Sequence, residues 1–500
     1  MTTSRTGWRR ASLALAAAAA LAGCAAVGPD FKAPAAPTVA DPAHPYSAAA
    51  WPAETASAPG RAGAAQRLVL ERDIPGEWWQ VFHNQALDGL IRSALAQSPT
   101  LAAAQAALRQ ARELYEAESG SRLMPAVTGQ AGAQRSRQSQ AASSVPGGVE
   151  YTLYNASVNV GYTIDAFGAT RRSLEALQAA VDVQHWQIEA AYLSLTANLV
   201  TAAVQEASLR AQLAATQAVI EAQQRSLALV QRQEALGGIG HQAVLAQQAQ
   251  LAQTRAGLPA LQKALAQTRL QLAVLAGRQP DTADLPEFSL DSLQLPAELP
   301  LSLPSALVRQ RPDIRASEAL LHQASAQVGV AEAARYPQIT LSGSLGLQAF
   351  KPQNLFTTAG TAWSLGAGIA GPIFNGGALA ARARAAVAAY DQAQAQYRQT
   401  VLVAFQNVAS TLQALQSDAD ALRAQAAAEA LARESLALAQ SQYDAGAVPV
   451  LTLLDAQRSV EQARIGLVQA QAARFADSAA LFQALGGGWW NRAELADAQR

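Results

Sequence analysis

The chain of 500 residues contains a single cysteine, Cys24, so no disulfide can form within it. Charged residues make up only 15% of it and aromatics 6%, and 37 acidic side chains cancel 37 basic ones. Ordinary soluble domains carry roughly 25% charged residues, so this composition argues against ordinary globular domains. The balanced charge gives no sign of a nucleic-acid partner, which wants a basic face, and leaves room for local charged rings. The histidines His44, His83, His185, His241 and His322 form no i, i+4 pair of the kind that holds a metal. No Gly-x-Ser-x-Gly elbow and no glycine loop with a phosphate-binding lysine is present. One Gly-x-Gly-x-x-Gly does occur, Gly366 to Gly371, with Asp391 twenty residues on. Dinucleotide binding needs such a loop to open a helix, and Pro372 follows at once, so these glycines read as small residues of a strand. Neither an enzyme nor a cofactor is expected. Beyond Cys24 there is no apolar run of the eighteen residues that a membrane-crossing helix needs.

Two stretches lack glycine and proline altogether: Ala169 to Leu236 and Ala378 to Ala445, 68 residues each. Alanine, glutamine, leucine and arginine fill them, all good helix formers. One helix of that length runs about 100 Å at ~1.5 Å per residue, too long for a compact domain. In the second stretch Val387, Tyr390, Tyr397, Val401, Ala404, Val408 and Leu415 follow the three-and-four spacing of a coiled-coil seam. Leu402, Phe405 and Leu412 add a second seam, which predicts more than one packing neighbour. Gly446-Ala447-Val448-Pro449 then signals a turn, and Leu451 to Leu485 a returning helix. The unit is a long antiparallel helical hairpin.

At the N-terminus, Arg5, Arg9 and Arg10 precede a short apolar stretch, Ala11 to Leu21, and then Leu21-Ala22-Gly23-Cys24. This looks like a bacterial lipobox: residues 1–23 as signal peptide, and Cys24 as the lipid-attachment site. Residues 24–75, rich in proline, alanine and serine, read as an extended leader. The pairs Trp78-Trp79 and Trp489-Trp490 read as packing anchors.

The rest reads as an internal duplication. Gln97-Ser98-Pro99 returns as Gln310-Arg311-Pro312, and Gln110-Ala111 as Gln323-Ala324, both offset by 213. Pro125 matches Pro337, and the Phe167-Gly168 corner matches Phe374 to Gly377. Gly237, Gly257 and Gly277 return as Gly446, Gly466 and Gly486, offset by 209. The predicted domains are 76–277 and 305–486 as two repeats of helix, strand, strand, long helix, turn and helix. A linker at 278–304 joins them, and 487–500 forms a tail. In the strands, Ala156, Val158, Val160, Tyr162 and Ile164 alternate with polar neighbours, as do Ile339, Leu341, Leu345 and Leu347. Val127 to Gln134 and Trp363 to Ile369 follow the same rule more weakly. Each run has about the length of a transmembrane β-strand with one lipid face and one wet face. Four strands cannot close a barrel, and lipid tolerates no open edge. Three copies supply twelve strands, with the polar loops Gln138–Gly148 and Lys351–Gly360 facing outside. The predicted fold class is therefore mainly α with a membrane β part. It is a trimeric 12-stranded barrel, four strands per chain, each chain adding its long helical hairpins.

In these features the chain resembles the TolC-like outer-membrane efflux proteins, in their lipoprotein (OprM/NodT-type) branch. The carrying segments are Cys24 with Val27-Gly28-Pro29-Asp30, Gly76 to Phe82, Arg309 to Ile314, Gly371 to Gly377, Gln442 to Gly446, Leu454 to Arg458 and Ala484 to Trp489. They span nearly the whole chain. The resemblance implies a homotrimer in the bacterial outer membrane, lipid-anchored at Cys24. Its helices form a long helical barrel continuous with the strands, a tunnel that extends into the periplasm and meets a periplasmic adaptor and an inner-membrane pump, expected to be proton-driven. It implies an exit duct for small molecules such as drugs, with no catalytic step, and short helices stacked end to end. The turns at Gly237 and Gly446 become the periplasmic tips. Leu451, Asp455 and Arg458, on one face of the returning helix, become a gate that constricts the closed tunnel, with Tyr443 tying neighbouring helices together. The repeat-related residues are Gln242, Ala246, Ala249 and Glu234, so the second tip carries an acid and a base at positions where the first has alanines. Two other readings stay open: the outer-membrane duct of a type I protein secretion system, and a structural coiled-coil lipoprotein.

Overall fold

A computed structural model describes residues 26–35, 46, 51–139, 141, 148–281 and 284–492. The signal segment 1–23, Cys24 and tail residues 493–500 lie outside the described residues, as do residues 25, 36–45 and 47–50 of the leader and most of the Gln138–Gly148 loop. The chain divides into two units.

The first unit takes the N-terminal residues to Pro34 with Ala107–His185 and Ala316–Arg398. It holds one four-stranded antiparallel sheet: β2 (Ala126–Gln138), β3 (Val149–Ile164), β5 (Gln338–Ala349) and β6 (Thr361–Ala370), in the order β2-β3-β5-β6. All four predicted strands form, and β3 begins six residues earlier than the alternation at Asn155 suggested. Those six residues pair with the far end of β2, Gln138 opposite Val149. Directly opposed residues share a face of an antiparallel sheet. One face therefore carries the rows Val127–Val160–Gly343–Leu365, Gly129–Val158–Leu345–Trp363 and Ile164–Ile339–Ile369. The other carries Thr128–Asn159–Ser344–Ser364 and Thr163–Thr340–Gly368. The apolar face is uncovered within this chain: Leu345, Trp363, Leu365 and Ile369 are all exposed. β2 and β6 are the free edges.

In the same unit the segment after Ala26 is fixed by Arg172, whose side chain is almost wholly buried. Its Nε donates to the Val27 carbonyl at 3.2 Å, and its Nη groups reach Asp30 and Glu175 at 2.7 Å each. Phe31 stacks on His322 at 4.3 Å, and Gly28 lies directly on Gly329, where a β-carbon would come within 2.4 Å of backbone.

The second unit, Ala35–Ala106, Trp186–Arg315 and Gln399–Arg500, holds most of the helical mass. The elements in chain order are β1 (Arg67–Leu70), α1 (Gln85–Gln97), α2 (Pro99–Leu123), α3 (Ala169–Ala235), α4 (His241–Leu275), β4 (Glu298–Leu301), α5 (Pro304–Gln310), α6 (Pro312–Ala333), α7 (Ala378–Asp444) and α8 (Val450–Ala484). α2, α3, α6 and α7 each contribute residues to both units. α3 and α7 are 67 residues each, α4 and α8 35 each. α4 starts at His241, directly after the extended Gly240. Among the described residues no helix is long and apolar enough to cross a membrane.

The helix ends abut, as the resemblance implies. Gly277, past the end of α4, sits on the Gln97 carbonyl before α2, and Gly486, past α8, sits on the Gln310 carbonyl before α6. Both glycines have positive φ, where a side chain would be strained and would also collide. The α7 seam is buried at Tyr397, Val401, Ala404, Val408, Leu412 and Leu415. Two seam positions differ: Val387 and Leu402 are exposed. Trp78, Trp79 and Phe82 are fully buried, with Trp78 stacked on Phe482 at 5.5 Å and Phe82 near Phe475. Buried Arg474 of α8 donates to the carbonyls of Ala62 and Ala64, to Thr55 Oγ1 and to Gln66 Oε1, binding the strand region β1 to the hairpin. β1 itself pairs in parallel with β4.

Candidate gate at the hairpin tips

The two tips of the second unit are built alike. At the end of α3 the Gly238 N–H donates to the Gln233 carbonyl and the Gly237 N–H to that of Glu234. At the end of α7 the Ala447 N–H donates to the Gln442 carbonyl and the Gly446 N–H to that of Tyr443. This is the Schellman arrangement, which satisfies the last carbonyls of a helix and requires a left-handed residue just past it. Gly237 and Gly446 supply it, each at φ 75°. The predicted tip turns are therefore where the chain reverses.

Behind the caps the two hairpins share one apolar cluster: Val230 and Val244 of the first, Tyr443, Val450, Leu453 and Leu454 of the second. Tyr443 adds a polar tie, its hydroxyl donating to Gln233 Oε1 at 2.5 Å. Burial raises the Tyr443 pKa, and the neighbouring Asp444 carboxylate adds to the rise, so the hydroxyl keeps its proton and remains a donor. Gln233 escaped the sequence reading, although Gln233-Glu234 stands 209 residues before Gln442-Tyr443.

On the first turns of α8, Leu453, Leu454 and Ala456 are buried while Leu451, Asp455 and Arg458 are exposed. The structure thus brings the three predicted gate residues to one free face, and Tyr443 to the packed side. Asp455 Oδ1 accepts from Arg458 Nη2 at 2.5 Å, with both side chains more than half exposed. The first tip has no such pair at Gln242, Ala246 and Ala249, but carries its own: Glu234 meets His241 Nδ1 at 2.7 Å. No group of three or more histidine, cysteine or acidic side chains able to hold a metal is found among the described residues.

A long helical hairpin pair with matched caps, joined in one chain to a two-faced four-stranded sheet, defines a class of membrane duct. The chain belongs to the outer membrane efflux protein family, whose model matches residues 90–278 and 303–487, and it is an outer-membrane efflux channel. It is 32% identical over 424 residues to the pyoverdine export outer membrane protein OpmQ of Pseudomonas aeruginosa, covering 83% of this chain and 87% of that one. It is 29% identical over 479 residues to the toluene efflux pump outer membrane protein TtgI of Pseudomonas putida, covering 96% and 98%. Among solved structures it is similar to the outer-membrane channel OprN, with a TM-score of 0.83 at 29% identity, covering 93% of this chain and 99% of that one.

Proposed function

We propose that three copies of this chain form one passive exit duct of a tripartite efflux system, anchored by lipid at Cys24. Four strands per chain supply a twelve-stranded barrel in the outer membrane, and two repeats of the same element order supply the helices of a periplasmic tunnel. The lower end is closed by a gate of Leu451, Asp455 and Arg458. A periplasmic adaptor and an inner-membrane pump, proton-driven, dock on this tunnel and provide the energy. The cargo is a small molecule, in keeping with relatives named for the export of pyoverdine and toluene.

One observation carries the gate. Within the same two turns of α8 the chain buries Leu453, Leu454 and Ala456 in its own core and leaves Leu451, Asp455 and Arg458 more than half exposed. Around a threefold axis three copies of that face form a ring of carboxylates and guanidiniums, narrow and charge-selective. The apolar face and free edges of the sheet support the barrel, since lipid accepts the first but not the second. The test is electrophoresis of the detergent-purified protein: a trimer that heating converts to monomers supports the duct, and a monomer before heating contradicts it.

A further inference from the structure

The free edges carry more than the number of copies. They carry a register. On β3, Gly161 stands opposite Ala126, and the strand then goes on through Tyr162, Thr163 and Ile164, which pair with Leu341, Thr340 and Ile339 of β5. Eight residues after Gly161, α3 begins at Ala169, preceded by Gly168 at φ 82°. On β6, Ala370 stands opposite Gln338, and eight residues later α7 begins at Ala378, preceded by Gly377 at φ 83°. The two strand-to-helix joints are therefore equivalent residue by residue. Gly371, Pro372 and Ile373 occupy the places of Tyr162, Thr163 and Ile164, yet they form no strand, and Ile373 is fully exposed. What β3 has beside it at that level, and β6 lacks, is β5.

β5 has a counterpart of its own. Gln338 and Ala126 both open their ladders directly after a proline, Pro337 and Pro125. Ala126 begins β2, the other free edge. We infer that β6 of one copy pairs antiparallel with β2 of a second copy in the register that β3 makes with β5, so that Ile373 stands opposite Val127, Ile369 opposite Ala131 and Ala367 opposite Ala133. This rests on the trimer proposed above and adds to it which residues meet.

Two features agree with this register and were not used to derive it. It keeps faces matched, because Ile373, Ile369, Leu365 and Trp363 fall on the same side as Val127, the apolar side of the sheet. A shift of one residue would put that row against the polar one. It also sets Trp363 opposite Arg137, whose ladder partner within the chain is Glu150. An aromatic ring among charged groups at the strand end is the composition of a membrane-interface girdle.

Disulfide trapping tests it. Ala367→Cys with Ala133→Cys, and separately Ile369→Cys with Ala131→Cys, are placed in the full-length chain and assembled in the outer membrane. Within one chain β2 and β6 are three strand spacings apart, about 14 Å, and a disulfide needs α-carbons within about 7 Å. Any bond between them therefore joins two copies. Both in-register pairs are expected to give covalent multimers on non-reducing gels. Ala367→Cys with Ala131→Cys, and Ala367→Cys with Arg135→Cys, two residues off in either direction, are expected to give several-fold less, and each single variant only background. Stronger bonding in a shifted pair, within a protein that still migrates as a trimer, overturns the register and leaves the trimer standing. Bonding in none of the four pairs, with migration as a monomer, overturns both.

Discussion

The Tyr443 hydroxyl and the Gln233 side-chain oxygen lie 2.5 Å apart, joining the last turns of α7 and α3. Each residue also offers its backbone carbonyl to the cap of its own helix. One side-chain hydrogen bond thus links two helix ends whose geometry glycines have already fixed. If the second hairpin swings away to open the duct, this bond must break.

Tyr443→Phe keeps the ring in the apolar cluster and deletes only the donor. A single hydrogen bond of this kind contributes about 1 kcal/mol net. The expected result is a modest loss of thermal stability and a higher open probability in planar bilayers. Unchanged gating would remove Tyr443 from the gate.

Gly446→Ala and Gly237→Ala test the caps as a matched pair. A β-carbon at either position meets nothing within 4 Å, so the cost is backbone strain alone. A left-handed non-glycine residue costs roughly 1–2 kcal/mol. The two variants should lose similar stability by thermal unfolding, because the turns are alike. Conductance should rise more for Gly446→Ala, whose hairpin carries Asp455 and Arg458. Equal conductance in both would argue against the inequality of the tips.

Asp477 of α8 predicts a pH dependence. Burial, with the adjoining Asp418 carboxyl, pushes its pKa from 3.8 up to about 8, while the Arg474 charge works against the rise. Between those values the folded chain holds a proton that the unfolded chain has released. Stability should therefore fall as pH rises from about 4 to about 8 and level off above. Asp477→Asn has no such proton and should flatten the slope, leaving the variant more stable than the native chain at pH 8. Melting curves across this range check it, and an undiminished slope in the variant would contradict it.

The fold was legible wherever the chain obeys one period for long enough. The glycine-free runs place α3 and α7 to within a residue, since nothing in them can stop a helix and Gly237 and Gly446 can. The alternation in β3 and β5 marks both strands, and the offsets of 209 and 213 match Gly277 with Gly486 and Gln97 with Gln310, though they do not say that the members of each repeat touch. Contacts between distant segments were less visible. Nothing local says that Arg474 reaches Ala62 and Gln66, or that Asp477 faces Asp418, because an arginine and an aspartate on a helix look like solvated surface until a neighbour covers them. Leu402 failed for the opposite reason: apolar spacing marks a face that needs a partner, and says nothing of whether the partner is in the same chain. At the tip, Leu451, Asp455 and Arg458 could be placed on one face by counting, whereas the burial that leaves that face free needed the packing of Leu453 and Leu454.

The central claim is a trimeric duct closed at its tip by the face of α8 that carries Asp455 and Arg458. Their ion pair is exposed and contributes little to stability within the chain, so removing it should leave folding intact. The decisive measurement is single-channel conductance of the purified protein in planar bilayers, native against Asp455→Ala and Arg458→Ala. The account predicts small native conductance and a several-fold rise in each variant at an unchanged melting temperature. Conductance equal to native in both variants, or no channel at all from the intact trimer, would contradict it.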